Sequence, residues 1–250
     1  MADSSQDVQE ISSIGTGSVE RGVAGDYSLV LGDVISEAWG RINGNKGTIW
    51  AALLMYMAVL FVISLVLGPV LGTPPAPAEG VAATTSPGEL LEQLLIALLV
   101  TPIWVGIIFV GVAIASDRPA KPTSIFSWYG KTVKLFITYF LMGLMIMLGM
   151  LLLVLPGIYL AVAYQLALPL VADKDLGPWE ALETSRKAIT HKWFTFFSLW
   201  VVAVLATMAS MVLLGIPLIW VLPAVIVGLG IVYRNIFGAQ EDALLRTAGD

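Results

Sequence analysis

The chain has 250 residues, of which 58% are hydrophobic and only 12% charged, and its mean hydropathy is +0.87. A water-soluble domain carries roughly a quarter charged residues, so this composition excludes an ordinary soluble globule and points to lipid as the solvent. The absence of cysteine excludes disulfides, thiolate metal sites and a cysteine nucleophile, and the net charge of −5 argues against nucleic acid as a partner.

Residues 1–26 are polar, acidic and rich in Gly and Ser, with no basic segment leading into an apolar one. They read as a disordered cytoplasmic tail instead of a secretory signal. Beyond them, apolar runs of the length a bilayer requires predict six spans, near 49–71, 90–115, 132–155, 157–171, 193–214 and 217–237. The uncharged stretch between Lys192 and Arg234 is too long for one crossing and suits two, joined at Gly215-Ile216-Pro217. A Pro156-Gly157 break separates the third and fourth spans. Ser86-Pro87-Gly88-Glu89 has the capping-box arrangement that satisfies free backbone donors at a helix start. The Pro/Ala/Thr-rich stretch before it reads as a mobile loop, and 239–250 as a C-terminal tail. The expected fold is therefore all-α: one transmembrane domain over 27–238, a polytopic helical bundle with interfacial amphipathic helices.

Orientation follows from Lys and Arg. With six spans, all 13 of them fall on the side of the N-terminal tail, 116–134, 172–192 and the C-terminal tail. The loop at 72–89 carries Glu79 and Glu89 but no basic residue. The excess of positive charge on one side places both termini in the cytoplasm.

The chain also repeats itself. A shift of 58 residues aligns 126–160 with 184–218, and eleven of 35 positions match, among them Ser127/Ser185, Lys134/Lys192, Phe136/Phe194 and Gly157/Gly215. Each copy holds two spans, so the duplicated unit is parallel. In 177–192, Trp179, Leu182, Ile189 and then Trp193 recur on one helical face, which predicts an amphipathic helix in the headgroup layer. Residues 27–43 look like a second such helix, and Phe126, Trp128 and Tyr129 anchor a third.

The pattern Leu31-Gly32-Asp33-Val34-Ile35-Ser36-Glu37-Ala38-Trp39, followed by Asn45-Lys46 and a span, resembles one bacterial membrane-protein superfamily. So do Trp179-Glu180-Ala181-Leu182-Glu183-Thr184-Ser185-Arg186-Lys187 and the Lys192-Trp193-Phe194 that follows. That superfamily includes the YciC-type inner-membrane proteins and the membrane domain attached to some glycerophosphodiester phosphodiesterases. The resemblance covers about 28–238, implies a bacterial inner-membrane location, and leaves out the soluble phosphodiesterase barrel, so hydrolysis does not carry over.

Chemistry is sparse. Ionisable groups deep in a span mark transport paths, and the predicted span interiors have none; Glu92 lies near a surface and Arg234 near an end from which it can snorkel. His191 lacks partners at ligand spacing and reads as a surface residue. Met142, Met145, Met147 and Met150 spread around their helix, as packing residues do, instead of forming a soft-metal site. No cofactor or metal is expected. Pro102, Pro169 and Pro223 kink spans 2, 4 and 6, and either shape the bundle or line a pathway. Tyr164, Gln165 and Asn235 are the polar groups closest to these kinks and serve bonds between helices. Lys46, Lys134, Arg186, Lys187, Lys192, Trp179 and Trp193 are the candidates for contact with lipid headgroups or a protein partner, a second copy of this chain included. Three functions remain open: a non-enzymatic scaffold, regulator or envelope-homeostasis protein; a transporter, channel or lipid flippase; and an enzyme acting on lipid through Asp173, Asp175 and Glu180.

Overall fold

The computed structural model describes residues 17–72 and 86–249, and among them there is helix and no strand. The loop expected at 73–85 and the first 16 residues of the expected tail lie outside the described residues. The helices are α1 (Val19–Ala24), α2 (Leu31–Arg41), α3 (Lys46–Leu71), α4 (Pro87–Ala115), α5 (Thr132–Leu152), α6 (Val154–Ala163), α7 (Ala167–Lys174), α8 (Pro178–Thr190), α9 (Trp193–Val212), α10 (Leu218–Phe237) and α11 (Glu241–Ala248). Six segments are long and apolar enough to cross a membrane: α3, α4, α5 with the 3-10 turns before it, α6 with α7, α9, and α10. The chain is a polytopic α-helical membrane protein.

Burial separates the spans into a centre and a lipid-facing shell. In their most apolar windows α4 is 67% buried, whereas α3 and α9 are each 11% buried and α5 17%. The second half of α4, from Val100 to Ala115, is enclosed except at Trp104, and it packs against α10. Gly111 and Gly230 make that approach close: a Cβ on either would overlap the backbone of the other helix. Phe109, stacked on Trp128 with ring centroids 4.4 Å apart and edge-on to Tyr233, fills the space below.

The capping box at the start of α4 forms as expected. The Glu89 amide donates to the Ser86 hydroxyl at 3.2 Å, and the Ser86 amide donates to the Glu89 carboxylate at 2.9 Å.

Four expectations are corrected. First, the tail ends earlier than composition suggests: α1 is capped by Ser18 and docks on the bundle, with Gly22 buried against Ile236 and Phe237. Its close approach is made at Gly22, which carries no hydropathic signal. Second, the C-terminal segment folds as α11, which buries Ala243, Leu244 and Thr247 and ties Glu241 to Arg118 at 3.0 Å. Third, the turn between the third and fourth spans lies at the extended Leu153, and Pro156-Gly157 sits inside the first turn of α6. Proline is at ease there because the first amides of a helix have no partner to lose. The fourth span then runs to Lys174, interrupted at Tyr164–Leu166. Fourth, α8 turns Leu182, Ala188 and Ile189 into the protein, not down into lipid, because α7, α5 and α1 cover that face. Trp179 stays exposed.

Candidate functional site

The interruption in span 4 has a local cause. Pro169 lacks the amide that would bond the Gln165 carbonyl four residues back, and its ring crowds that carbonyl. The helix therefore stops at Ala163 and restarts at Ala167. The buried Ser185 of α8 fills the gap, donating to the Ala163 carbonyl at 2.7 Å and accepting from the Leu166 amide at 3.2 Å.

Beside this break lies a half-open groove of about 440 Å³, bounded by α2, α4, α5, the break itself, α9 and α10. Small residues contribute to the lining: Ala203 and Ala206 of α9, and Ala224 and Gly228 of α10. Trp39, Trp104 and Trp200 contribute to the lining and remain partly exposed. Apart from tryptophan, Gln165 is the single polar side chain among the described lining residues, and its amide makes no hydrogen bond to a described residue. A pocket of this size class, mostly apolar with one polar foothold, suits a small amphiphile.

Of the other two span prolines, Pro223 is compensated by a neighbouring span. Pro223 leaves the Ile219 carbonyl without its helical donor, and the Trp50 indole N–H of α3 donates to it at 3.1 Å. Near Pro102, the Tyr129 hydroxyl donates to the Leu99 carbonyl at 2.8 Å.

At the charged end, α4 terminates under two arginines. Arg41 donates to the Ile114 carbonyl at 3.2 Å and to Asp117 at 2.5 Å; Arg234 donates to the Ala115 carbonyl. Both guanidinium groups share Glu37, at 2.7 Å from Arg41 and 2.9 Å from Arg234. Cations at a helix C-terminus meet the negative end of its dipole. Burial pushes the Glu37 carboxyl upward, but the hydrogen bonds from Arg234 and Arg41 outweigh it and hold Glu37 below the ordinary carboxylate range. The Arg41 hydrogen bond likewise lowers Asp117. Arg234 is thus fixed within the protein instead of snorkelling, bonded also to Asn235 at 2.8 Å.

A second polar layer adjoins it. Asp173 has a fully buried side chain that accepts from the Tyr233 hydroxyl at 2.7 Å and the Gln240 amide at 3.0 Å, and it lies 3.1 Å from the Lys174 ammonium. Asp175 pairs with Lys134 at 3.0 Å and Lys131 at 3.2 Å, and the hydrogen bonds from these lysines, Lys134 first, lower its pKa. These bonds consume Asp173 and Asp175 structurally. No group of three or more His, Asp or Glu side chains among the described residues is arranged to hold a metal. Met142 lines the groove, Met147 is exposed, and Met150 packs over Gly157 while remaining partly exposed.

The headgroup candidates divide. Lys134 is paired as above; Arg186 and Lys187 both turn to Glu183, at 2.7 and 3.5 Å. Lys46 and Lys192 have no carboxylate partner among the described residues: Lys46 lies 5.3 Å from the centroid of the Trp220 ring and Lys192 5.2 Å from that of Tyr27. Trp193 stacks on Tyr159 and Phe197 and donates to the Tyr159 carbonyl at 3.3 Å. Tyr164 and the three prolines are buried, and only Gln165 faces the groove. Sequence reasoning missed Ser185, Trp50 and the Glu37 cluster; the four-residue spacing of Glu37 and Arg41 was the one local signal.

Comparison with known proteins finds no matching family model, no matching curated protein and no matching solved structure.

Proposed function

We propose that this chain is a non-enzymatic protein of the bacterial inner membrane, with both termini cytoplasmic, that serves as a scaffold or regulator of the envelope by engaging membrane lipid. The observation that carries this reading is the groove of about 440 Å³ between α2, α9 and α10. A groove this apolar within a membrane protein is solvated by hydrocarbon, and an acyl chain is the hydrocarbon at hand. Lys46 and Lys192, without a carboxylate partner among the described residues and each beside an aromatic ring, suit an anionic headgroup. The gathering of basic segments on one side supports the orientation. The duplicated two-span unit and the resemblance to YciC-type proteins support the location and the parallel arrangement of the hairpins.

The test is native mass spectrometry of the protein extracted in its own lipids. Wild type retains bound phospholipid, enriched in anionic species over the bulk membrane, and Ala203→Phe with Ala224→Phe, which fills the groove, loses it. Retention at bulk composition, or equal retention by the filled variant, defeats the reading. A second reading, movement of lipid between leaflets, is favoured by the Gln165 amide at the helix break. Liposomes in which wild type, and not Gln165→Leu, speeds the exchange of fluorescent lipid between leaflets establish it in place of the first.

A further inference from the structure

Two of the turns that join spans are made almost wholly of large aliphatic side chains. Leu151, Leu152, Leu153, Val154 and Leu155 between α5 and α6 are 62% to 78% exposed, and Val212, Leu213, Leu214 and Ile216 between α9 and α10 are 59% to 89% exposed. No polar side chain occurs from Phe140 to Ile158, and from Met211 to Val232 the only one is the indole of Trp220. Extended exposure of this kind to water forfeits roughly 1.5–3 kcal/mol for each large aliphatic side chain.

The backbone amides of the second turn are largely paired within the turn itself. The Leu213 amide donates to Ala209, Gly215 to Ser210, Ile216 to Leu213, Leu218 to Gly215 and Ile219 to Ile216, all between 2.8 and 3.3 Å. Pro217 has no amide to satisfy. The Leu153 amide donates to Gly149 at 3.1 Å, and Pro156 removes one of the free donors at the start of α6. To close the second turn, Leu214 takes a left-handed backbone at φ 58°, followed by Gly215 at 76°. Unpaired backbone groups are what exclude irregular chain from hydrocarbon.

Length agrees with chemistry. α9 and α10 have 20 residues each, and α5 has 21, which at about 1.5 Å per residue only matches a hydrocarbon core of about 30 Å. α3 and α4 have 26 and 29 residues, long enough to project about 10 Å further. α4 starts at Ser86 and Glu89, whose capping box suits water.

We infer that the tips at Leu151–Leu155 and at 211–217 do not emerge into water but are seated in the acyl chains of the membrane, whereas the start of α4 at Ser86 is wetted. The native chain has no cysteine, so single substitutions report without background. Ser86→Cys, Leu153→Cys and Leu214→Cys are exposed to a membrane-impermeant maleimide from each side of native membranes. Ser86→Cys reacts from one side. Leu153→Cys and Leu214→Cys react roughly tenfold or more slowly from both sides, because the reactive thiolate does not form in hydrocarbon, and fully once the membrane is dissolved. Rates within about threefold of Ser86→Cys overturn the inference. Nitroxides on the same cysteines in purified, reconstituted protein then distinguish lipid from a covering protein. Relaxation by oxygen over a water-soluble nickel chelate is the expected result; accessibility to the chelate, with protection only in native membranes, assigns the cover to another protein and also overturns it.

Discussion

The Ser185 hydroxyl lies 2.7 Å from the Ala163 carbonyl, inside a gap that Pro169 opens in a different helix. A single side chain from α8 thus does the work of two missing helical bonds, because it also accepts from Leu166. Ser185→Ala leaves a buried carbonyl and a buried amide unpaired and is expected to lower stability by about 1–3 kcal/mol. Ser185→Cys, which keeps a weak donor of similar size, loses less. Thermal unfolding in a fixed detergent ranks the three; equal melting of wild type and Ser185→Ala removes the assigned role.

Trp50 and Pro223 make a coupled pair through the Ile219 carbonyl. Trp50→Phe removes the donor and is expected to cost about 0.5–1.5 kcal/mol in the native sequence. In a Pro223→Ala background the helix supplies its own donor, so the same change costs less. A double-mutant cycle on unfolding free energies measures the coupling, and strictly additive effects rule it out.

Much of the architecture was legible because lipid imposes a simple rule. Long apolar runs and one-sided Lys and Arg announce spans without reference to tertiary contacts, and the capping box at Ser86 is a purely local pattern. What escaped were contacts between distant segments. Nothing around Gly22 indicates that its missing side chain admits Phe237, and a Ser in an amphipathic helix gives no hint that it faces a broken span. The Pro156 turn was misplaced for a related reason: proline both ends and begins helices, and composition alone does not say which. The groove was illegible because its lining comes from helices far apart in sequence, from Val34 of α2 to Val232 of α10, which meet only on folding.

Glycine has opposite consequences at two span positions. Gly230 meets the Gly111 backbone so closely that Gly230→Ala forces α4 and α10 apart, with an expected loss of about 1–3 kcal/mol. A Cβ at Gly143 meets nothing within 4 Å, and Gly143→Ala is expected to gain up to about 1 kcal/mol from helix propensity. Unfolding of the two variants side by side checks the sign at each; destabilisation by both assigns the effect to something other than the α4–α10 approach.

Glu37 sets a pH dependence whose direction is fixed by its partners. Its carboxyl is held below its ordinary value of 4.5, because the hydrogen bonds from Arg234 and Arg41 outweigh the upward push of burial. A group with a depressed folded pKa contributes its stability above the unfolded value and loses it as pH falls through the folded one. Glu37→Gln is therefore expected to be less stable than wild type at pH 7, by about 1–3 kcal/mol for the charge-assisted bonds removed. As pH falls below about 4.5, the native Glu37 takes up its proton and the gap between the two proteins closes. Unfolding midpoints of both proteins from pH 7 down to pH 3 follow that closure. A gap that stays constant throughout places the effect of the substitution in packing, and not in the carboxylate that joins α2 to the end of α10.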